Sequence, residues 1–151
     1  MIFVVPSRID HRVAGRSSVS VMAGLVVVPG GGKAFDWHGA RVVIKASGSD
    51  TVGQLAVMES TYPAGLSVPE HHHEGEDELF YLLDGELEGF CGEDRWTATP
   101  GSFVLVPRDQ PHGFVVSSAT AARALVIVGP PRLDQQVAAT GIPVGESGIS
   151  E

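Results

Sequence analysis

Gly65-Leu-Ser-Val-Pro-Glu-His71-His72-His73-Glu-Gly-Glu-Asp-Glu78-Leu-Phe-Tyr-Leu-Leu-Asp84-Gly85 holds three of the six histidines of the chain, side by side, just ahead of an apolar strand. In extended backbone, residues two apart share a face, so His71 and His73 aim together while His72 aims away. Glu78 lies five residues beyond His73, past a Gly-containing turn, at the mouth of Leu79-Phe80-Tyr81-Leu82-Leu83. Two imidazoles and a carboxylate converging from neighbouring positions are half of a divalent-metal site. The rest of the chain reads as a shell around it.

The bulk composition excludes several classes of function. A chain of 151 residues is expected to be one domain with a single core. Nineteen glycines and ten prolines favour short strands joined by tight turns. A net charge of −8 argues against nucleic acid or an anionic membrane as partner, since both attract basic surfaces. Ten of the 18 acidic residues fall between Glu70 and Asp94, a local field that draws cations and repels anionic substrates. Cys91 is the only cysteine, so no intramolecular disulfide forms, and it reads as a small apolar strand residue. The N-terminus places its charges after a short apolar run, the reverse of a secretory signal, and no apolar run approaches the length of a membrane span. A cytoplasmic location is the expectation.

Along the chain, residues 1–22 read as a polar arm, as an edge strand from Met1 to Val5 added to this barrel or to a partner's, or as an over-long start ahead of Met22. Leu25 to Val28 reads as the first strand, ended by Pro29-Gly30-Gly31-Gly32-Lys33. That glycine run is a flexible turn and not a phosphate loop, because Ala follows the Lys where Ser or Thr is needed. Strands are predicted at Arg41–Ala46, Gln54–Ser60 and from Glu78 to Leu83. Asp84-Gly85 then signals a hairpin with Glu86–Phe90 as its return strand. Arg95–Ala98, Ser102–Val106 and Phe114–Val116 follow, with Ala121–Val128 as the last strand. Short strands at regular spacing, with turns between, indicate an antiparallel sandwich or barrel over residues 23–129. In the C-terminal segment, residues 130–151, Pro130–Ala139 reads as one short helix stopped by Gly141, and Gly145 onward as a tail.

The spacing Gly65, His71, His73, Glu78, Gly85 resembles the first signature of the cupin family. Gly101, Pro107 and His112 resemble the second, which departs from the family pattern at Asp109, where Gly is usual, and at Val116, where Asn is usual. The resemblance runs from about Val28 to Val128, and is narrowest with small one-domain cupins similar to quercetin dioxygenase. It implies an all-β double-stranded β-helix, or jelly-roll barrel, with a metal inside one end, and a homodimer. It also implies a ligand set of His71, His73 and His112 through nitrogen and Glu78 through oxygen. Such a set suits one divalent transition ion: iron, manganese, nickel, cobalt, copper or zinc. Glu78 is also the candidate catalytic base, and His11, His38 and His72 read as solvated loop residues. Phe80 and Leu82 share alternation with Glu78, and Phe114 with His112; they stand either as an apolar substrate pocket or as plain core. Trp37 and Trp96 are expected in the outer layer or at a dimer contact.

Three function classes follow. The first is a metal-dependent dioxygenase that acts with O2 on a flavonol-like or other enolisable aromatic small molecule. The second is a Lewis-acid enzyme of small-molecule biosynthesis, a cyclase or isomerase. The third is a non-enzymatic small-ligand binder. One fold hosts all three.

Overall fold

A computed structural model describes residues 24–145, so the expected N-terminal arm, its edge strand and the tail beyond Gly145 lie outside the described residues. The chain runs through β1 (Lys33–Trp37), β2 (Ala40–Ala46), β3 (Ala56–Tyr62), β4 (Ser67–His71), β5 (Asp77–Asp84) and β6 (Leu87–Cys91). It continues through β7 (Asp94–Ala98), β8 (Phe103–Val106), β9 (His112–Val116), β10 (Ala122–Gly129), α1 (Leu133–Thr140) and β11 (Ile142–Pro143). Two antiparallel sheets result, a seven-stranded one ordered β11-β1-β2-β3-β10-β5-β8 and a four-stranded one ordered β4-β9-β6-β7. Together they form the jelly-roll barrel.

Alternation sets the inner faces. Ala122, Ala124, Val126 and Val128 of β10, Phe80 and Leu82 of β5, and Val42 and Ile44 of β2 are all buried. Their outward neighbours on β5 and β8 include Tyr81, Phe103 and Leu105, all exposed. A period of two is what a sheet with one covered face requires. Within this apolar filling the described residues bury few polar side chains: Ser60, Glu76, Glu78, His112 and Asp134.

Three local expectations are corrected. Leu25 to Val28 is not a strand, and Val26 and Val28 stand 89% and 64% exposed. An apolar run becomes a strand only where a backbone ladder is open to it. The outer edge of β1, itself placed where the sequence suggested a turn and a lead-in, is taken by β11 through Phe35↔Pro143 and Asp36↔Ile142. For the same reason β10 is not the last strand. Asp84-Gly85 does not close a hairpin either. β5 pairs with β10 and β8, whereas β6 pairs with β7 and β9, so the chain changes sheets at this corner. Gly85 has φ 77° and backs directly on the entry to β10, the neighbour of β5 in the seven-stranded sheet: a Cβ there would meet Ala122 Cα at 2.6 Å and the Ala121 carbonyl at 2.8 Å.

The predicted C-terminal helix is present, starting at Leu133, with Gly141 after its last turn. Leu133 and Val137 are its buried apolar contacts, at 7% and 0% exposure, and the Gly48 N–H donates to the buried Asp134 carboxylate at 2.8 Å. Arg132 at its N-cap supplies no side-chain cap. The carboxylate of Glu76 does so from across the fold, accepting from the backbone N–H groups of Arg132 and Leu133 at 2.5 and 3.0 Å.

Candidate metal centre

The β4–β9 pairing sets His71 opposite His112, across a register shift between Val68 and His71. Glu78 enters from β5, in the facing sheet, on the same inward alternation as Phe80. His73 sits in the loop after β4, and that loop is held by Asp109. The Asp109 N–H donates to the His73 carbonyl at 3.0 Å, and its Oδ1 accepts from the Gly75 N–H at 2.9 Å. Asp109 has φ 66°, the left-handed region in which a Gly costs least and an Asp is tolerated better than most residues. The substitution therefore keeps the backbone turn and adds a side-chain tie to the loop carrying His73. Val116, the other departure, is buried at 2% exposure and bonds through its N–H to the Leu66 carbonyl at 2.9 Å.

One ligand atom each from His71, His73, Glu78 and His112 lie within 4.8 Å of one another. Atoms about 2.1 Å from one ion are at most about 4.2 Å apart, so the cluster has to contract by only about half an ångström to share one. The imidazoles are also oriented for it. Nδ1 of His71 donates to the Pro69 carbonyl and Nδ1 of His112 to the Gln110 carbonyl, both at 2.9 Å. A carbonyl can only accept, so these bonds commit the proton to Nδ1 and leave Nε2 with its lone pair. Nε2 of His112 then stands 3.1 Å from Glu78 Oε2. His73 Nε2 lies at the same 3.1 Å from that oxygen, yet it is buried without a hydrogen-bond partner. Its Nδ1 faces Glu76 Oε1 at 3.5 Å.

Nitrogen lone pairs set against a carboxylate repel unless a proton or a cation lies between them. Protonating several rings at once is disfavoured when their centroids are only 4.2 to 5.3 Å apart. A single divalent ion satisfies all four groups. These residues fit a transition metal.

The titration behaviour of the four follows from the same packing. In the metal-free chain burial works to raise the Glu78 carboxyl, but the His112 and His73 rings, where they carry the proton that stands in for a cation, outweigh it and hold the pKa at about 2. Burial works against the His73 imidazolium, and the Glu78 and Glu76 carboxylates reverse this, leaving its pKa raised. For His71 burial prevails, aided by the two neighbouring rings, and the pKa is lowered. Burial also raises Glu76, against the backbone N–H groups of Leu133 and Arg132.

A cavity of about 590 Å³ adjoins the centre, walled in part by His71, His73 and Glu78. Of the three pocket residues expected from alternation, Phe80 and Phe114 line it, packed edge to face at 5.7 Å, whereas Leu82 does not and lies in the core at 1% exposure. Trp37, expected in the outer layer, lines the cavity and donates through Nε1 to Thr140 Oγ1 at 2.9 Å. Trp96 is half-buried against Gly89, away from the cavity. His38 and His72 are exposed and stay outside the four-residue cluster, although both border the cavity; His11 lies outside the described residues. Sequence reasoning missed Met58, Ser60 and Tyr62, which project inward from β3, and Gln136 and Val137 of α1. The β3 residues were legible in principle, since Met58, Ser60 and Tyr62 alternate at the period of a half-buried strand. Burial and the nearby Glu78 carboxylate push the Tyr62 phenol far above its ordinary pKa. Among the described residues, neither Lys nor Arg lines the cavity.

Comparison with known proteins agrees with this geometry. Residues 58–128 match the family described as Cupin domain. The chain is 32% identical over 75 residues to quercetin 2,3-dioxygenase of Bacillus subtilis (strain 168), covering 50% of this chain and 22% of that protein. It thus spans under a quarter of the length of that curated relative. Among solved structures, KdgF from Halomonas sp. superposes with a TM-score of 0.65 at 18% identity, over 76% of this chain and 99% of that one. An RmlC-like cupin from Shewanella frigidimarina does so with a TM-score of 0.59 at 19% identity, over 68% of this chain and 86% of that one. At these identities the two structures speak for the fold alone. No helix among the described residues is long and apolar enough to cross a membrane. With its signature spacings, its two-sheet barrel and the match over residues 58–128, the chain has the cupin fold and resembles the cupin family.

Proposed function

We propose that this chain is a metal-dependent dioxygenase acting on a small, neutral, enolisable aromatic of the flavonol kind. The observation that carries the reading is the juxtaposition of three histidines and a glutamate with an apolar, aromatic-walled cavity. The likeness to quercetin 2,3-dioxygenase over half the chain supports it. His71, His73, His112 and Glu78 would hold the ion. When bound, a divalent transition metal supplies a Lewis acid for a substrate oxygen and a centre competent for oxygen chemistry.

The chain's own residues do the rest. Phe80 and Phe114 present two ring edges and faces against which a planar substrate packs. Glu78, at the mouth of the cavity, is the group placed to accept a proton from the substrate hydroxyl, which makes the ring system electron-rich. Among the described residues the cavity wall holds a carboxylate and no Lys or Arg, which disfavours carboxylated or phosphorylated substrates there. Leu133, Gln136 and Val137 of α1 wall one side of the cavity, which limits the access of water to the deprotonated substrate from that side.

The test is dioxygen uptake by the full chain loaded in turn with each first-row divalent ion, on addition of a flavonol. Metal-dependent uptake that is lost in Glu78→Gln is the expected result. Turnover that persists without oxygen would transfer the site to Lewis-acid cyclisation or isomerisation. Tight flavonol binding unaffected by metal removal would make the chain a ligand-binding cupin.

A further inference from the structure

We infer that Glu76 is a positioning residue that ties the setting of His73 to the docking of α1, so that metal occupancy and the position of the cavity wall are coupled. The inference rests on the metal reading of the four-residue centre and adds to it a link that the ligands alone do not make.

One buried carboxylate faces both elements. Glu76 is only 2% exposed. Its Oε1 lies 3.5 Å from His73 Nδ1, on the side of the ring turned away from Glu78. Its Oε2 accepts from the N–H groups of Arg132 and Leu133, the two donors at the start of α1 that no local side chain caps. A second tie runs alongside: the Arg132 guanidinium donates to the Glu74 carbonyl at 3.0 Å. On its other flank the same loop is held by Asp109 through His73 and Gly75. The 73–76 loop is therefore clamped between the turn that leads to His112 and the first turn of α1.

The consequence lies three and four residues into the helix. Leu133, Gln136 and Val137 all line the cavity. A ring fixed by an ion through Nε2 fixes its Nδ1 as well, and with it the carboxylate that caps the helix. A carboxylate that orients a ligating imidazole commonly contributes about ten- to a hundredfold to metal affinity. By reciprocity, the ion then strengthens the cap by the same factor. The helix is a single two-turn element at the rim of the barrel, with Leu133 and Val137 as its buried apolar contacts, which makes it the element whose opening such a link would move.

The experiment uses the full chain, with Zn2+ alone as the probe. Zn2+ affinity is measured by calorimetric titration, and amide hydrogen exchange of residues 132–140 is followed with and without the ion. In the native chain, Zn2+ is expected to slow exchange in this segment by about tenfold or more. In Glu76→Gln, which keeps the shape, affinity should fall roughly ten- to a hundredfold, and saturating Zn2+ should no longer slow exchange in the helix beyond the change seen in β3. Arg132→Ala, which removes the guanidinium tie to Glu74 but keeps the backbone N–H that Glu76 caps, should leave affinity within about threefold, and a fall as large as that of Glu76→Gln would overturn the assignment of the link to Glu76. Zn2+ binding with no change in α1 of the native chain, or equal slowing in Glu76→Gln, would overturn the coupling while leaving the metal site intact. A flat titration in the native chain would overturn both, and the calorimetric trace tells these failures apart.

Discussion

Gly65 and Gly85 bound the histidine motif, both with left-handed backbone, at φ 75° and 77°. Replacing each with Ala separates two costs that are usually confounded. At Gly65 a Cβ would find nothing within 4 Å, so Gly65→Ala carries only the left-handed penalty, about 1 kcal/mol. At Gly85 the same penalty applies, and the new Cβ also meets Ala122 Cα at 2.6 Å, the Ala121 carbonyl at 2.8 Å and Ala122 Cβ at 2.9 Å. Two of these three atoms are backbone and cannot rotate away. Relief requires moving the entry of β10 relative to the sheet-to-sheet corner, an overpacking cost of about 1–3 kcal/mol. The sum for Gly85→Ala is about 2–4 kcal/mol, against about 1 for Gly65→Ala. For a chain of this size each kcal/mol lowers Tm by about 2–4 °C. Paired urea and thermal unfolding of the metal-free variants, with the slope m checked for constancy, measures the difference. Equal losses at the two positions would refute the reasoning, because they would show that conformation alone, and not the close approach of Ala121–Ala122, requires glycine at the corner.

His71→Ala and His112→Ala should each abolish near-stoichiometric metal uptake, read by elemental analysis of untagged protein, whereas His72→Ala should retain it, since its ring lies outside the cluster. Asp109→Gly should be within about 1 kcal/mol of the native chain, trading the Gly75 hydrogen bond for a relaxed backbone, while Asp109→Ala loses the bond and keeps the strained φ, at about 1–2 kcal/mol; denaturant midpoints rank the two. In the metal-free protein the Glu78 pKa is depressed on folding, so its stabilisation is full above the unfolded carboxyl value and is lost as pH falls from about 4.5 towards about 2. Glu78→Gln should flatten that acid limb in a series of unfolding curves, and an unchanged limb would count against the close His–Glu contacts.

The ligand set was legible because its information is local or nearly so. His71 and His73 share a face by the strand period, and Glu78 and His112 fall at spacings that resemble a family pattern. What was not legible depended on partners far along the chain. Asp84-Gly85 has the same local chemistry whether the chain turns back or crosses to another sheet, and the choice is made by contact with Ala121 and Ala122. Leu25 to Val28 has a strand's composition, but the edge it could have used is occupied by Ile142 and Pro143. α1 showed its length and its stop, yet its cap is a carboxylate on the far side of the sequence, which no inspection of residues 130–133 suggests. Alternation points Leu82 to the pocket because it gives a face and not a depth; the side chain lies inward, as expected, but outside the cavity.

The pairing of His71 with His112 has a bearing on the lifetime of the protein. The two rings come from strands about forty residues apart, and closing a loop of that length costs about 3 kcal/mol of chain entropy. An unfolded chain therefore offers an ion at best the neighbouring His71 and His73, while the folded chain offers the full set. An ion that discriminates in this way shifts the folding balance by mass action, by about 2.7 kcal/mol at a hundredfold excess over Kd. On this hypothesis the supply of metal sets how often the barrel opens to a protease, and abundance follows metal availability with no dedicated sensor. Limited proteolysis in Zn2+ and in chelator measures it directly: equal half-lives in the two would show that the native and unfolded chains hold the ion alike.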